Sequence, residues 1–405
     1  MRLNLWVPGS SIVLALSVIA APGVGQVQAP EPAPAARPDK TWHAIGSLHA
    51  TEWADNNVFL LSDTRISQLD TLTAPAPPTT RFADMQSASD FITAVRADVG
   101  TAGPGLFGRS LSLRFGAGYD FYARNDKRRH VALRFSIAQA FPHHGRLRLR
   151  GRLTPSYFFR NFLADAIDRN ADGMIESNER IYAAGTYRDS RILLGYRQEL
   201  VRARRSHPFG AAVEVEFGHI DRSYDAPLHY RSYNGPVVRA ALALDFSRSV
   251  ALDVGYTHAS LNSRPDSAVL VLNEPDFNRD FNGDGTATDV RVRTVQLVDF
   301  SRTEQDVNVR LRVGRAEGIR VAAHYRHRWR SFPSTQPFDV YNNTRRDRRN
   351  FVSLELTVPT GPRAAFVVGG DTETQIVARS LVPNLTAEVT DYSRRRLFAG
   401  WRYHF

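Results

Sequence analysis

Apolar and polar residues alternate with period two along most of the chain, in segments of about ten residues broken by turns. In 109–122, Leu111, Leu113, Phe115, Ala117, Tyr119 and Phe121 share one face, opposite Ser112, Arg114, Gly116, Gly118 and Asp120. In 249–260, Val250, Leu252, Val254 and Tyr256 oppose Ala251, Asp253, Gly255 and Thr257. In 146–153, Leu147, Leu149 and Leu153 oppose Arg146, Arg148, Arg150 and Arg152. Four arginines on one strand face cannot pack into a dry core without acids beside them, but they can line a wet lumen.

About fourteen such segments are found, near 42–51, 89–101, 109–122, 129–141, 146–158, 183–200, 209–220, 235–247, 249–260, 301–314, 319–331, 348–359, 364–375 and 391–405. Short connections rich in Gly, Pro or charge (102–108, 142–145, 201–208, 247–249, 315–318, 360–363) alternate with long ones (52–88, 159–182, 221–234, 261–300, 332–347, 376–390). The one tight exception is Asn125 to Arg129. Long loops at one end and short turns at the other predict an all-β chain, a single antiparallel transmembrane β-barrel with long extracellular loops. Fourteen strands fit best, with 12 and 16 as alternatives. Lipid offers no partner to an open sheet edge, so closure is required.

The termini fit export to the cell outer membrane. Arg2 followed by the apolar run Ile12 to Ala21 reads as a secretory signal over 1–25, and the Pro/Ala-rich stretch in 26–41 as a periplasmic linker, leaving 42–405 as barrel. Zero cysteines exclude a disulfide scaffold, a thiolate metal site and a Cys nucleophile. The last strand, LFAGWRYHF, puts Leu397, Ala399, Trp401, Tyr403 and Phe405 on one face. It resembles the closing strand of Gram-negative outer-membrane barrels. That resemblance implies that Trp401, Tyr403 and Phe405 belong to the signal read by the barrel-assembly machinery, with outer-membrane lipid outside. The first long connection carries ADNNVFLLSD and leads into SDFIT. This pairing resembles the opening hairpin of porin-like barrel families of proteobacteria. The segment could fold inward as a constriction, but a surface loop is the simpler expectation.

A net charge of +11 invites a nucleic-acid partner. The basic residues are instead spread along alternating strand faces, without the helix stripe or aromatic motif of a binding module. By phase the inward set includes Arg146, Arg148, Arg150, Arg152, Asn308, Arg310, Arg312, Arg320, Arg326, Arg328, Arg330, Arg394, Arg396 and Arg402. The inward acids Glu199, Glu214, Glu216, Asp245 and Asp253 sit on consecutive middle strands. This predicts a lumen acidic on one wall and basic on the others, a transverse field that selects by charge. The plainer alternative is that these charges neutralise one another and brace the barrel. If solutes pass, the arginine excess favours small anions such as acidic sugars, organic acids or phosphorylated solutes.

Two long connections carry calcium-loop patterns. In Asp168 to Glu179, Asp168, Asn170, Asp172, Gly173, the Met174 carbonyl, Ile175, Glu176 and Glu179 fall on positions 1, 3, 5, 6, 7, 8, 9 and 12 of an EF-hand loop. Alternating short oxygen side chains wrap a hard cation, Gly173 permits the sharp turn, and Glu179 closes the sphere. From Asp280, the residues Asn282, Asp284, Gly285, Thr286 and Thr288 fit positions 3, 5, 6, 7 and 9. Position 12 is Arg291, which cannot ligate, so Asp276, Asn278 or Asp289 would have to substitute. Structural Ca²⁺ in extracellular loops is the expectation, at an affinity on the order of 10⁻⁴ to 10⁻³ M.

No catalytic residue is assigned. His219 with Asp221, His229 near Tyr230, and the pair Glu214 and Glu216 lack a nucleophile, base and orienting group at recognisable spacing. Besides passive diffusion, the sequence admits the barrel part of a polysaccharide or surface-protein export or assembly system, and a structural or adhesive barrel. Export barrels usually follow a periplasmic helical-repeat domain. Only about 15 residues separate the expected leader from the first strand, so a partner chain would have to supply one.

Overall fold

The structure is a computed structural model that describes residues 41–78, 80–166, 180–203, 208–263, 266–270, 294–315, 317–335, 339, 342–380 and 390–405. The expected leader, most of the linker and both calcium-loop segments lie outside these residues.

Fourteen antiparallel strands close into one barrel. The first six are β1 (His43–Asp55), β2 (Asp90–Pro104), β3 (Ser110–Tyr122), β4 (His130–Ala140), β5 (Gly145–Ala166) and β6 (Arg180–Val201). Next come β7 (Gly210–Tyr224), β8 (Tyr233–Ser247) and β9 (Val250–Ser263). The barrel is completed by β12 (Arg302–Gly314), β13 (Arg320–Ser331), β14 (Arg346–Pro359), β15 (Ala364–Arg379) and β16 (Tyr392–His404). A separate hairpin, β10 (Asp266–Leu270) and β11 (Thr294–Val298), stands between β9 and β12. β16 pairs back onto β1 from Ser47 opposite His404 to Asp55 opposite Arg396. Gly46 and Phe405 exchange backbone hydrogen bonds at 2.9 and 3.0 Å, so the seam is sealed to the last residue.

The alternation explains which way each side faces. Leu397 is 69% exposed, Phe91 62% and Phe217 60%, all pointing outward. Outward Phe115 stands opposite Phe135, and Leu113 opposite Ile137. Leaving one such side chain in water forgoes roughly 1.5–3 kcal/mol, and dozens of them form this exterior. Lipid removes that cost. Charged and small residues of the same strands point inward.

Three features depart from the period-two expectation. β5 and β6 reach 22 residues each, and β5 continues through 159–166 rather than ending near 158. Register shifts on β5 after Thr154, Phe158 and Leu163 turn Phe158, Arg160, Asn161 and Phe162 all toward burial, which hides the strand from an alternation test. β10 and β11 lie within a long connection and are only five residues each.

The third departure corrects the surface-loop expectation for the first long connection. Its two ends, around Val58 to Leu69 with the helix α1 (Asp63–Asp70) and around Ala83 to Ala88, fold against the inner wall of the barrel, while 71–78 are mostly exposed. Val58, Phe59, Leu61, Leu69 and Met85 form one buried cluster with the wall residues Ile92, Ala94, Tyr122 and Phe158. VFLL is apolar because it has a wall to pack on. Polar latches fix it. The Asn57 amide donates to Leu61 O at 2.7 Å and Ser393 O at 2.8 Å, and its Oδ1 accepts from Leu61 N at 2.8 Å. Arg160 donates to Leu60 O at 3.0 Å. At the far end, the Asp90 carboxylate accepts from the N–H groups of Arg124 and Asn125, both at 2.9 Å, and Asn125 Oδ1 accepts from Gln86 N at 2.9 Å. The short turn at 125–129 thus ties down the end of this segment through Asn125.

Candidate functional site in the barrel lumen

Beside the inward segment, whose Val58, Leu60, Arg65 and Arg81 border it, lies a cavity of about 1170 Å³ lined by residues from all around the barrel. Among the described residues it is bordered by 23 arginines, no lysine and nine Asp or Glu. Period two places the strand arginines there, whereas Arg65, Arg81, Arg128, Arg231 and Arg345 reach the cavity from the inward segment and the connections.

Many are tied down. Arg148 and Arg150 donate to Glu214 and Glu216 respectively, the second at 2.5 Å, and Arg239 reaches Glu216 at 3.0 Å. Arg328 bridges Asp306 at 2.9 Å and Glu304 at 3.3 Å, while Arg330 reaches Glu304 at 3.0 Å. Arg326 lies 3.8 Å from Asp306. Arg402 pairs with Glu355 at 2.9 Å, Arg396 with Asp371 at 2.7 Å, and Arg312 with Asp253 at 3.0 Å. Arg394 pairs with Asp55 and Arg349 with Glu373. Nearer the outer mouth, guanidinium groups lie over aromatic faces: Arg128 over Tyr122 and Tyr157, Arg222 over Tyr187, Arg302 over Tyr233 and Arg231 over Phe162.

Of the residues assigned to the lumen from sequence, Arg150, Arg152, Arg310, Arg326, Arg328, Arg394, Arg402, Glu214 and Asp253 border the cavity. Arg148 and Glu216 are in the ion pairs just described. Arg312 meets Asp253, Arg146 stands opposite Arg197, and Asp245 lies exposed near the periplasmic end opposite Gly210. Trp401, Tyr403 and Phe405 are all exposed on the outer face of the closing strand. His219 faces outward, and the Arg188–Asp221 pair beside it is 3.8 Å apart.

The expected acidic wall is not what the geometry shows. Asp98, Asp120, Asp189, Glu304, Asp306, Asp347, Glu355, Asp371 and Glu373 spread acids over the other strands. Glu355 and Glu373 are in phase with inward positions and were findable by alternation. Arg128, Arg231 and Arg345 were not, because they belong to connections. At the outer mouth, burial pushes the Asp339 carboxyl above the ordinary carboxylate range, although it accepts from Asp299 N and Asn342 N at 3.1 Å each. It is therefore among the first mouth charges lost on acidification. Among the described residues no group of three or more Asp, Glu or His could hold a metal ion.

A closed antiparallel barrel, apolar outside and charged within, is the architecture of an outer-membrane β-barrel, and the outer membrane is where this chain resides. No family model matches the sequence, and no curated protein matches it. Solved structures that align with it include an anion-selective porin from Comamonas acidovorans, at 8% identity over 90% of this chain and 99% of that one, TM-score 0.37. The outer membrane channel DcaP of Acinetobacter baumannii aligns at 8% identity over 90% and 97%, TM-score 0.38. The in-vitro folded OmpT of Vibrio cholerae aligns at 10% identity over 90% and 97%, TM-score 0.38. At such identities and scores no property of these proteins is carried over to this chain.

Proposed function

We propose that this protein is an outer-membrane channel for passive diffusion of small anionic solutes, with the inward segment 56–89 as its constriction. One observation carries the reading: 23 arginines and nine carboxylates border one lumenal cavity, and the three further acids that pair with those arginines, Glu216, Glu373 and Asp55, still leave arginine in excess. A wall with a positive excess attracts anions and repels cations, and guanidinium forks match carboxylate and phosphate. Residues 1–25 would direct export, and Trp401, Tyr403 and Phe405 would engage the assembly machinery. No residue is given a catalytic role and no nucleic acid is a partner in this reading.

Planar-bilayer recording of refolded protein tests it. Conductance steps whose reversal potential in a KCl gradient favours chloride are expected. A silent, sealed barrel would overturn the channel and leave the export-component or structural reading.

Calcium stiffening of the outer loops is part of the same proposal. The strands bring the ends of both acidic segments together, Ala166 opposite Arg180 and Leu270 opposite Thr294. Asp168, Asn170, Asp172, Met174, Glu176 and Glu179 would ligate in the first loop, and Asp280, Asn282, Asp284 and Thr286 in the second. Calcium titration of wild type against Asp168→Ala should show loss of one site of about millimolar affinity. Identical isotherms would remove that site.

A further inference from the structure

Arg134, Arg152 and Arg191 stand side by side on one row of the wall, Arg134 opposite Arg152 and Arg152 opposite Arg191. Arg134 is held by both oxygens of Asp98, at 2.6 and 2.5 Å. No hydrogen bond or ion pair ties Arg152 or Arg191 to a described residue, and the carboxylates whose charge reaches them, Asp120 and Asp189, form no such bond to either. The carboxylate two residues from Arg191, Asp189, is taken by Arg222, which donates to it at 2.8 and 2.9 Å. Arg191 is exposed to the lumen, and both arginines border the cavity. Like charges directly opposite on a sheet repel, so this pair destabilises the empty wall and an anion would relieve it.

The neighbouring surface is of another kind. Ile220 sits opposite Arg191 on β7 and belongs to an apolar cluster with Leu193, Val237 and Leu261, all of which border the cavity. A hydrated anion such as phosphate gains nothing from that surface. Sugars usually stack on aromatic faces, but those nearby are taken: Arg222 lies 4.1 Å from the Tyr187 ring centre and Arg302 3.9 Å from that of Tyr233.

We propose that Arg152 and Arg191 form a binding subsite for organic monocarboxylates with an apolar body, the carboxylate held by the two guanidinium groups and the body resting toward Ile220 and Leu193. This deepens the channel reading by naming the solute class, though binding itself does not require an open pore.

Calorimetric titration of refolded protein in detergent with hexanoate, against protein-free micelles, tests the subsite, with gluconate and phosphate as hydrophilic comparators. Wild type should bind hexanoate about tenfold more tightly than either comparator. Arg152→Gln with Arg191→Gln should weaken it at least about tenfold, the loss of one charge-assisted pair. Ile220→Ala should weaken hexanoate several-fold and leave phosphate unchanged. Heat-modifiable gel migration checks folding, and should the double variant not fold, Arg191→Lys retains the charge without the fork and should still lose several-fold. Equal affinity for all three anions, or hexanoate binding untouched by the substitutions, overturns the proposal. A bilayer that stays silent while hexanoate binds would sink the channel and keep the subsite, whereas a conducting pore that binds no hexanoate would do the reverse.

Discussion

Two walls of the same lumen use arginine differently. Around β12 to β16 and the end of β1, guanidinium groups meet carboxylates in succession: Arg328 with Asp306, Arg402 with Glu355, Arg396 with Asp371, Arg349 with Glu373 and Arg394 with Asp55. On β5 and β6, Arg152 and Arg191 face each other, and no carboxylate of a described residue bonds to either. Residue type and strand phase are the same on both walls, and only the partner differs. Bracing and solute recognition, alternatives when read from the sequence, are therefore divided between regions of one barrel. A charge held by a fixed counter-charge stiffens the wall, and a charge left open supplies the field a mobile anion feels.

The sharpest way to break this comparison is to remove the counter-charge where burial is deepest. Asp55 is fully buried and Arg394 is 10% exposed, with Arg394 Nε donating to Asp55 at 2.8 Å. Asp55→Ala leaves a guanidinium unpaired in the packed wall and should cost about 3–5 kcal/mol. The readout is the urea midpoint of refolding, or the temperature at which heat-modifiable migration is lost. A loss as small as that at an open pair would end the bracing assignment for this wall.

The packed inward segment gives the next largest effect. Phe59 has no exposed surface and meets Phe158 edge-on at 6.3 Å, with the Arg128 guanidinium 4.9 Å from its ring centre. Phe59→Ala should cost about 3 kcal/mol, near the low end for truncating a buried ring. Because the segment occupies the lumen, single-channel conductance should also rise. An unchanged conductance would place the segment away from the ion path.

Glu216 on β7 is the counter-charge shared by Arg148 and Arg150 of β5 and Arg239 of β8, and its side chain is 1% exposed. Glu216→Gln removes the charge and keeps the shape. It should destabilise by about 1–3 kcal/mol, the cost of weakened bonds to charged donors. It should also move the reversal potential further toward the anion. Lower stability with unaltered selectivity would mean that these three arginines do not reach the field along the pore.

Much of this was legible beforehand, for a definite reason. Lipid outside and water inside force every residue of a spanning strand into one of two environments, so Leu147 and Arg148 declare their faces at once. The number of strands and the short and long ends follow from the same rule. It fails where neither environment applies. The 159–166 part of β5 lies among bulges, and Val58, Phe59 and Leu61 pack against protein, so there alternation carries no information. Pairing was also hidden. Which acid meets Arg396 or Arg402 depends on register between neighbouring and next-neighbouring strands, and alternation fixes a face without fixing the level along it. The pair Arg152 and Arg191 could be seen only once register set the two opposite each other and Asp189 was found on Arg222.

The smallest effect is the most useful control. Arg312 and Asp253 form a pair at 3.0 Å near the periplasmic end, with side chains 42% and 34% exposed. Water screens both charges, so Asp253→Ala should cost less than about 1 kcal/mol. Because the freed guanidinium then stands in the wet part of the lumen, Asp253→Ala should shift the reversal potential slightly toward the anion while the refolding midpoint barely moves. Asp55→Ala should do the opposite, with a large stability loss and little change in selectivity for whatever fraction folds. If both variants instead lost stability and gained anion preference in equal proportion, depth along the wall would not separate bracing from field, and the division between the two walls would have to be abandoned.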